Sequence, residues 1–117
     1  MNTYLLMLHE TPADSMSMSP AQIQDIIARH QAWAQDLAAR GLLAGGEKLT
    51  EDGGRHLRMM GGAPVASDGP YAEAHDVVGG FYLVKAESDA EAEALALACP
   101  HLEGRQWVEL RRIENLR

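Results

Sequence analysis

The sequence predicts an α+β fold, an antiparallel sheet with two helices on one of its faces. Three observations predict it. Short apolar or β-branched runs alternate with two longer segments that carry helix caps and apolar residues at helical spacing. The chain has 117 residues, the length of one domain. Its 46% hydrophobic content is enough to build a core, and its 5% aromatic content makes that core aliphatic and alanine-rich.

The first element is TYLLMLH, Thr3 to His9. It is short, apolar and bounded by polar residues, as a buried strand is. ETPADSMSMSP follows as a loop of turn formers. Ser19-Pro20-Ala21-Gln22 then opens a helix. Ser19 caps it, Pro20 suits the first helical position, and Gln22 completes a capping box. Ile23, Ile26, Ile27, Trp33, Ala34 and Leu37 recur at helical spacing, and Gly41 supplies the stop. One amphipathic helix over 20–40 results.

LLAGGEKLTEDGG is a glycine-rich passage leading into a strand, RHLRMM, Arg55 to Met60. GGAP is a tight turn and VAS a short returning strand. SDGPYAEAHD follows, and then VVGGFYLVKA, Val77 to Ala86, with the β-branched and aromatic density of a strand. Gly79 and Gly80 inside it mark a bulge or a close backbone approach. Ser88-Asp89-Ala90-Glu91 is a second capping box, opening helix AEAEALALA, which Pro100 ends. QWVELRRI, Gln106 to Ile113, is the last strand. The order is β-α-β-β-α-β with an extra hairpin in the middle, a ferredoxin-like plan. Nothing in the chain covers the second face of such a sheet, so a homodimer through that open face is expected.

Charge and composition exclude several functions. The net charge is −7 and the arginines are scattered, so no basic face for nucleic acid is expected. No stretch has transmembrane length, and MNTYLLMLHE lacks the basic start and long apolar run of a signal peptide. Cys99 is the only cysteine, which rules out an intramolecular disulfide. A cytoplasmic protein without a membrane partner is the expectation. LLAGGEK has neither phosphate-loop nor dinucleotide-loop spacing, and no Gly-x-Ser-x-Gly occurs.

Two residues stand out for chemistry. His30 lies three after Ile27 and three before Trp33, on the core-facing stripe of the first helix. It is either a core histidine satisfied by a carbonyl or water, or a general acid or base facing a pocket between helix and sheet. Asp68 opens Asp68-Gly69-Pro70-Tyr71. It is either a turn former or a carboxylate that orients an imidazole or moves a proton. Glu73, His75 and Asp76 follow, but their spacing fits no familiar metal site. His101, in CPHL, lies just past a helix end, where a protonated imidazole suits the dipole. Cys99 beside it reads as a small buried hydrophobe.

The chain resembles the YCII-related family, in particular its DGPF-type branch. The resemblance rests on YLLMLH, SPAQIQDIIARHQAWAQDLAARGLLAGGEKL, VASDGPYAEAHDVVGGFYLV and ACPHLEGRQWVELRRI, which span nearly the whole chain in order. DGPYAE…GGFYLV is the most specific piece, with Tyr71 in place of Phe. The resemblance implies a protomer of the dimeric α+β barrel superfamily. It also implies kinship with muconolactone-isomerase-like enzymes, with a YCII-type enzyme that eliminates chloride from a lactone, and with proteins linked to extracytoplasmic-function sigma factors. The YCII-type histidine, eleven positions before the glycine ending the first helix, falls on His30. The Asp two positions before that glycine is Ala39 here, so Asp68 is the expected replacement and Asp36 the second choice.

Two functions follow as expectations. In the first, His30 is the general acid or base and Asp68 orients it. Trp33, Tyr71 and His101 contact a small, cyclic or carbonyl-bearing metabolite that undergoes isomerisation, elimination or hydrolysis. That chemistry needs no cofactor and no metal. In the second, the dimer is a non-catalytic ligand-binding or regulatory module, with the same residues as polar anchors and Trp107 helping to close the cavity.

Overall fold

The computed structural model describes residues 1–11, 18–69, 76–103 and 106–116. The elements are β1 (Asn2–Glu10), α1 (Pro20–Ala39), β2 (Leu43–Lys48), β3 (Arg55–Met60), β4 (Ala63–Asp68), β5 (Val77–Ala86), α2 (Asp89–Leu97), a 3₁₀ turn (Pro100–Leu102) and β6 (Trp107–Arg112).

Helix α1 starts and stops where its caps dictate. The Gln22 N–H donates to the Ser19 hydroxyl (3.2 Å) and the Ser19 N–H to the Gln22 side-chain oxygen (2.8 Å), a complete capping box. At the other end Gly41, at φ +71°, and Leu42 donate to the carbonyls of Ala38 (3.0 Å) and Leu37 (2.8 Å). These two bonds satisfy carbonyls that the helix itself leaves unpaired. Helix α2 makes only half of its box. The Glu91 N–H donates to the Ser88 hydroxyl (3.2 Å), but the Glu91 carboxylate accepts from Glu87 rather than Ser88.

Four strands form one antiparallel sheet in the order β2-β5-β1-β6, the ferredoxin-like arrangement. Strands β3 and β4 pair only with each other, from Arg55↔Asp68 to Met60↔Ala63. This corrects the sequence reading at one place. The second sheet strand lies in the LAGGEK segment taken for a connection, and Arg55–Met60 belongs to the projecting hairpin instead. Glycine hid that strand, because Gly45 and Gly46 lower the apparent β-propensity. The structure explains Gly46: a Cβ there would come within 2.7 Å of the Tyr82 ring, which lies against the β2 backbone.

The helices cover one sheet face. Tyr4, Leu6 and Leu8 of β1, Val84 and Ala86 of β5, Leu37 of α1, Ala92, Leu95 and Ala96 of α2, and Cys99 are buried there. The first-helix stripe is narrower than its periodicity suggests. Leu37 is fully buried, Trp33 packs against the core, and Ile23 and Ile27 are exposed. The sheet's other face carries Leu5, Met7, Phe81 and Leu83, paired across β1 and β5 as Leu5↔Leu83 and Met7↔Phe81. All four are only partly covered.

Candidate functional site

One end of the helix-covered face gathers His30, Trp33, Tyr82 and His101. Strand β5 brings Tyr82, whose position follows from alternation with the buried Val84 and Ala86. Helix α1 brings His30 and, one turn on, Trp33. The 3₁₀ turn, started by Pro100, brings His101. Arg29, braced within the helix by Asp25 (2.9 Å), fastens α1 to that turn region through an ion pair with Glu103.

His30 is half-buried and its Nδ1 is 2.9 Å from the Tyr82 hydroxyl. Burial pushes the Tyr82 phenol up to about 12, so this hydroxyl keeps its proton at neutral pH. The His30 ring lies near-parallel to Tyr82 at 6.0 Å and Trp33 meets Tyr82 edge-on at 4.8 Å. With Nδ1 engaged, Nε2 is the His30 nitrogen left for a ligand.

His101 sits 6.2 Å from His30, ring centre to ring centre. Its Nε2 is 2.7 Å from the His9 carbonyl. A carbonyl only accepts, so the proton is on Nε2 and Nδ1 carries the lone pair. Burial holds both imidazoles below the usual histidine value, and for His30 the nearby His101 and Arg29 act in the same direction. Both rings are therefore neutral near pH 7. Two neutral imidazoles, each with one nitrogen tied to the protein, can take or give a proton at the other. Cys99 next to them is buried, and burial pushes its thiol up, away from the thiolate form that a nucleophile needs.

The structure does not bring Asp68 to His30. Asp68 ends β4, opposite Arg55, and its carboxylate pairs with the Arg55 guanidinium at the stem of the hairpin. Its side chain is 89% exposed. Register fixes that outcome: the residue that closes a two-stranded hairpin faces its cross-strand partner, not a helix on another sheet. Asp36 pairs with Arg40 (3.2 Å) on the outer side of α1. Tyr71, Pro70, Glu73 and His75 lie outside the described residues. Trp33 and His101 are both at the cluster, and His101 is a member of it rather than a cap on α2.

Two residues of this end were not singled out in the sequence. Tyr82 was readable only as part of an apolar strand, and Glu10 as a loop residue. The signal for each is strand alternation: Tyr82 shares the phase of Val84 and Ala86, and Glu10 that of Tyr4, Leu6 and Leu8.

Among the described residues, no three His, Cys, Asp or Glu side chains come together as metal ligands. No helix is long and apolar enough to cross a membrane. A groove of about 580 Å³ lies elsewhere, between α2 and β6. Three of its polar groups serve each other: the Tyr4 hydroxyl donates to Asp89 (2.6 Å), which faces Arg112 at 3.6 Å.

A family model described as the YCII-related domain matches residues 3–116. No curated protein matches the chain.

Proposed function

Because the chain belongs to the YCII-related domain family, we propose that the His30–His101–Tyr82 cluster is a small-metabolite site working by acid–base chemistry. One observation carries this reading: two partly buried neutral imidazoles lie 6.2 Å apart, each tied to the described residues through one nitrogen, His30 by Nδ1 and His101 by Nε2. His30 Nε2 and His101 Nδ1 are the proton-transfer positions. A neutral metabolite with a carbonyl or lactone group is the substrate class, and isomerisation, elimination or hydrolysis the reaction type. Trp33 and Tyr82 offer the apolar surface against which such a molecule stacks. The Asp68-Gly69-Pro70-Tyr71 segment supports placing the chain in the DGPF-type branch.

The working unit is a homodimer of the dimeric α+β barrel type. Supporting this is the partly covered stripe of Leu5, Met7, Phe81 and Leu83 on the sheet face without helices. A sheet with one apolar face uncovered gains hydrophobic stabilisation of about 25 cal/mol per Å² when a second copy covers it.

A second reading has its own support. Asp68 pairs with Arg55, so the carboxylate expected to orient His30 is engaged elsewhere. A ligand-binding module without turnover needs no such carboxylate. The two readings separate in one experiment. Histidine side-chain NMR is followed while a panel of small lactones and carbonyl compounds is added. The enzyme reading expects shifts confined to His30 and His101 together with conversion of the compound. Binding without conversion supports the module. Shifts in neither histidine contradict both.

A further inference from the structure

We infer that Glu10 is the carboxylate of the His30–His101 site, seated on Gly79 and acting as a positioning residue through His101; this rests on the reading of that cluster as a ligand site. Strand phase is the first argument. Leu8 pairs with Val108 on the helix-covered face and His9 with Trp107 on the open face. The His9 ring stacks on Trp107 at 3.8 Å there and bonds Glu109 at 3.0 Å. Glu10, the next residue, returns to the helix-covered face, where His30, Tyr82 and His101 are. A carboxylate as the last member of a buried stripe Tyr4-Leu6-Leu8 asks for a reason.

Gly79 is the second argument. The β1–β5 register slips between Leu8, opposite Gly80, and His9, opposite Val78, so Gly79 is the extra residue of a bulge. A Cβ on Gly79 would fall 2.5 and 2.6 Å from the two Glu10 carboxylate oxygens. The glycine therefore leaves room for the Glu10 headgroup and for no side chain of its own. The carboxylate lies across the strand instead of running out to solvent. Glu10 favours the charged form of His101, opposing the burial that disfavours it.

The groups facing His101 are few. From β1 come His9, through its carbonyl and its charge, and Glu10; from α1 comes His30; Cys99 precedes it in the chain. Among the described residues Glu10 supplies the negative charge that acts on His101, while Glu103, just past the turn, is engaged with Arg29 of α1. The role of Glu10 follows from balance of charge. When His101 Nδ1 takes a proton from the ligand, the ligand's C–H or O–H bond breaks, its electron pair stays on the ligand, and an N–H bond forms. The resulting imidazolium is partly buried, and a nearby carboxylate offsets its cost. The proton returns to the product from the same nitrogen.

The test is a pH titration of the histidine side chains by NMR on the ligand-free full chain. Wild type is compared with Glu10→Gln, Glu10→Asp and Gly79→Ala. Glu10→Gln should lower the His101 midpoint by about half a pH unit, the effect of losing one charge several ångströms away in partly wet protein. Glu10→Asp should restore part of that shift. Gly79→Ala, which displaces the carboxylate, should behave like Glu10→Gln. An unchanged His101 midpoint in Glu10→Gln overturns the inference, and an unchanged midpoint in folded Gly79→Ala overturns the seat on Gly79. Because no ligand is present, the outcome is independent of the proposed function. A His101 shift alongside failed metabolite binding would uphold Glu10 and sink the site's reading. Metabolite binding alongside an unmoved His101 would do the reverse.

Discussion

Histidine identity at positions 30 and 101 has a consequence that stability measurements can read. Both imidazoles are held below their ordinary value, chiefly by burial. The unfolded chain therefore binds more protons than the folded one as pH falls through the unfolded value, about 6.5. Stability is full above that value and is lost as pH drops toward the lowered folded-state values. The unfolding midpoint should fall between pH 7.5 and pH 5.5, and His30→Gln should flatten part of that slope. A midpoint that held constant or rose over this range would contradict neutral, partly buried imidazoles. His30 was legible in the sequence because helical spacing alone places it between Ile27 and Trp33 on one stripe. Its partner was not. A hydroxyl from a strand 52 residues away leaves no local pattern, and the carboxylate chosen in its place, Asp68, the first residue of Asp68-Gly69-Pro70-Tyr71, pairs with Arg55.

Among the elements, the two helices and strands β1, β5 and β6 followed from caps, periodicity and β-branched density. Ser19 with Gln22 and Gly41 fixed both ends of α1 by hydrogen bonds that short-range sequence encodes. Strand β2 was illegible for the opposite reason. Its central Gly46 serves a tertiary contact, the Tyr82 ring against the strand, and local propensity carries no trace of it. Gly46→Ala is the corresponding prediction. The new methyl meets the ring and a backbone carbonyl of Phe81, so the ring must move and drag its bond to His30 with it. A destabilisation of about 1–3 kcal/mol is expected, the usual cost of overpacking, read as a lower denaturant midpoint at constant m-value. An exposed β2 edge with no packing role would give a change within about 0.5 kcal/mol instead. The hairpin β3–β4 is a different kind of element. Leu57, Met59 and Met60 are more than half exposed on it, and its strands pair only with one another. Its turn chemistry, Gly61-Gly62, was readable; its separation from the main sheet was not, because register to a distant strand is set by burial and not by the turn.

The whole molecule is flat and extended for its length. Its described residues have a radius of gyration of 16.3 Å, against about 13–14 Å for a compact chain of this size. Its shortest dimension is 19 Å, one sheet and one helix layer deep. A second copy seated on the apolar outer sheet face would turn these two layers into a three- or four-layer assembly, which is the physical content of the proposed dimer. Leu83→Glu places a charge at the centre of that face, beside Leu5 and Gly45. It should convert a dimer to a monomer in sedimentation at micromolar concentration while the helical circular dichroism persists. A wild-type monomer under the same conditions would contradict the dimer. The central claim is that His30 serves a ligand rather than the core. The direct measurement is His30→Ala, with thermal unfolding and metabolite binding recorded on the same preparation. The account predicts a folded variant, destabilised by no more than about 1–2 kcal/mol as befits a half-buried polar side chain, that no longer binds the compound shifting His30 and His101 in wild type. Large loss of stability with binding unchanged would make His30 a core residue and contradict the claim.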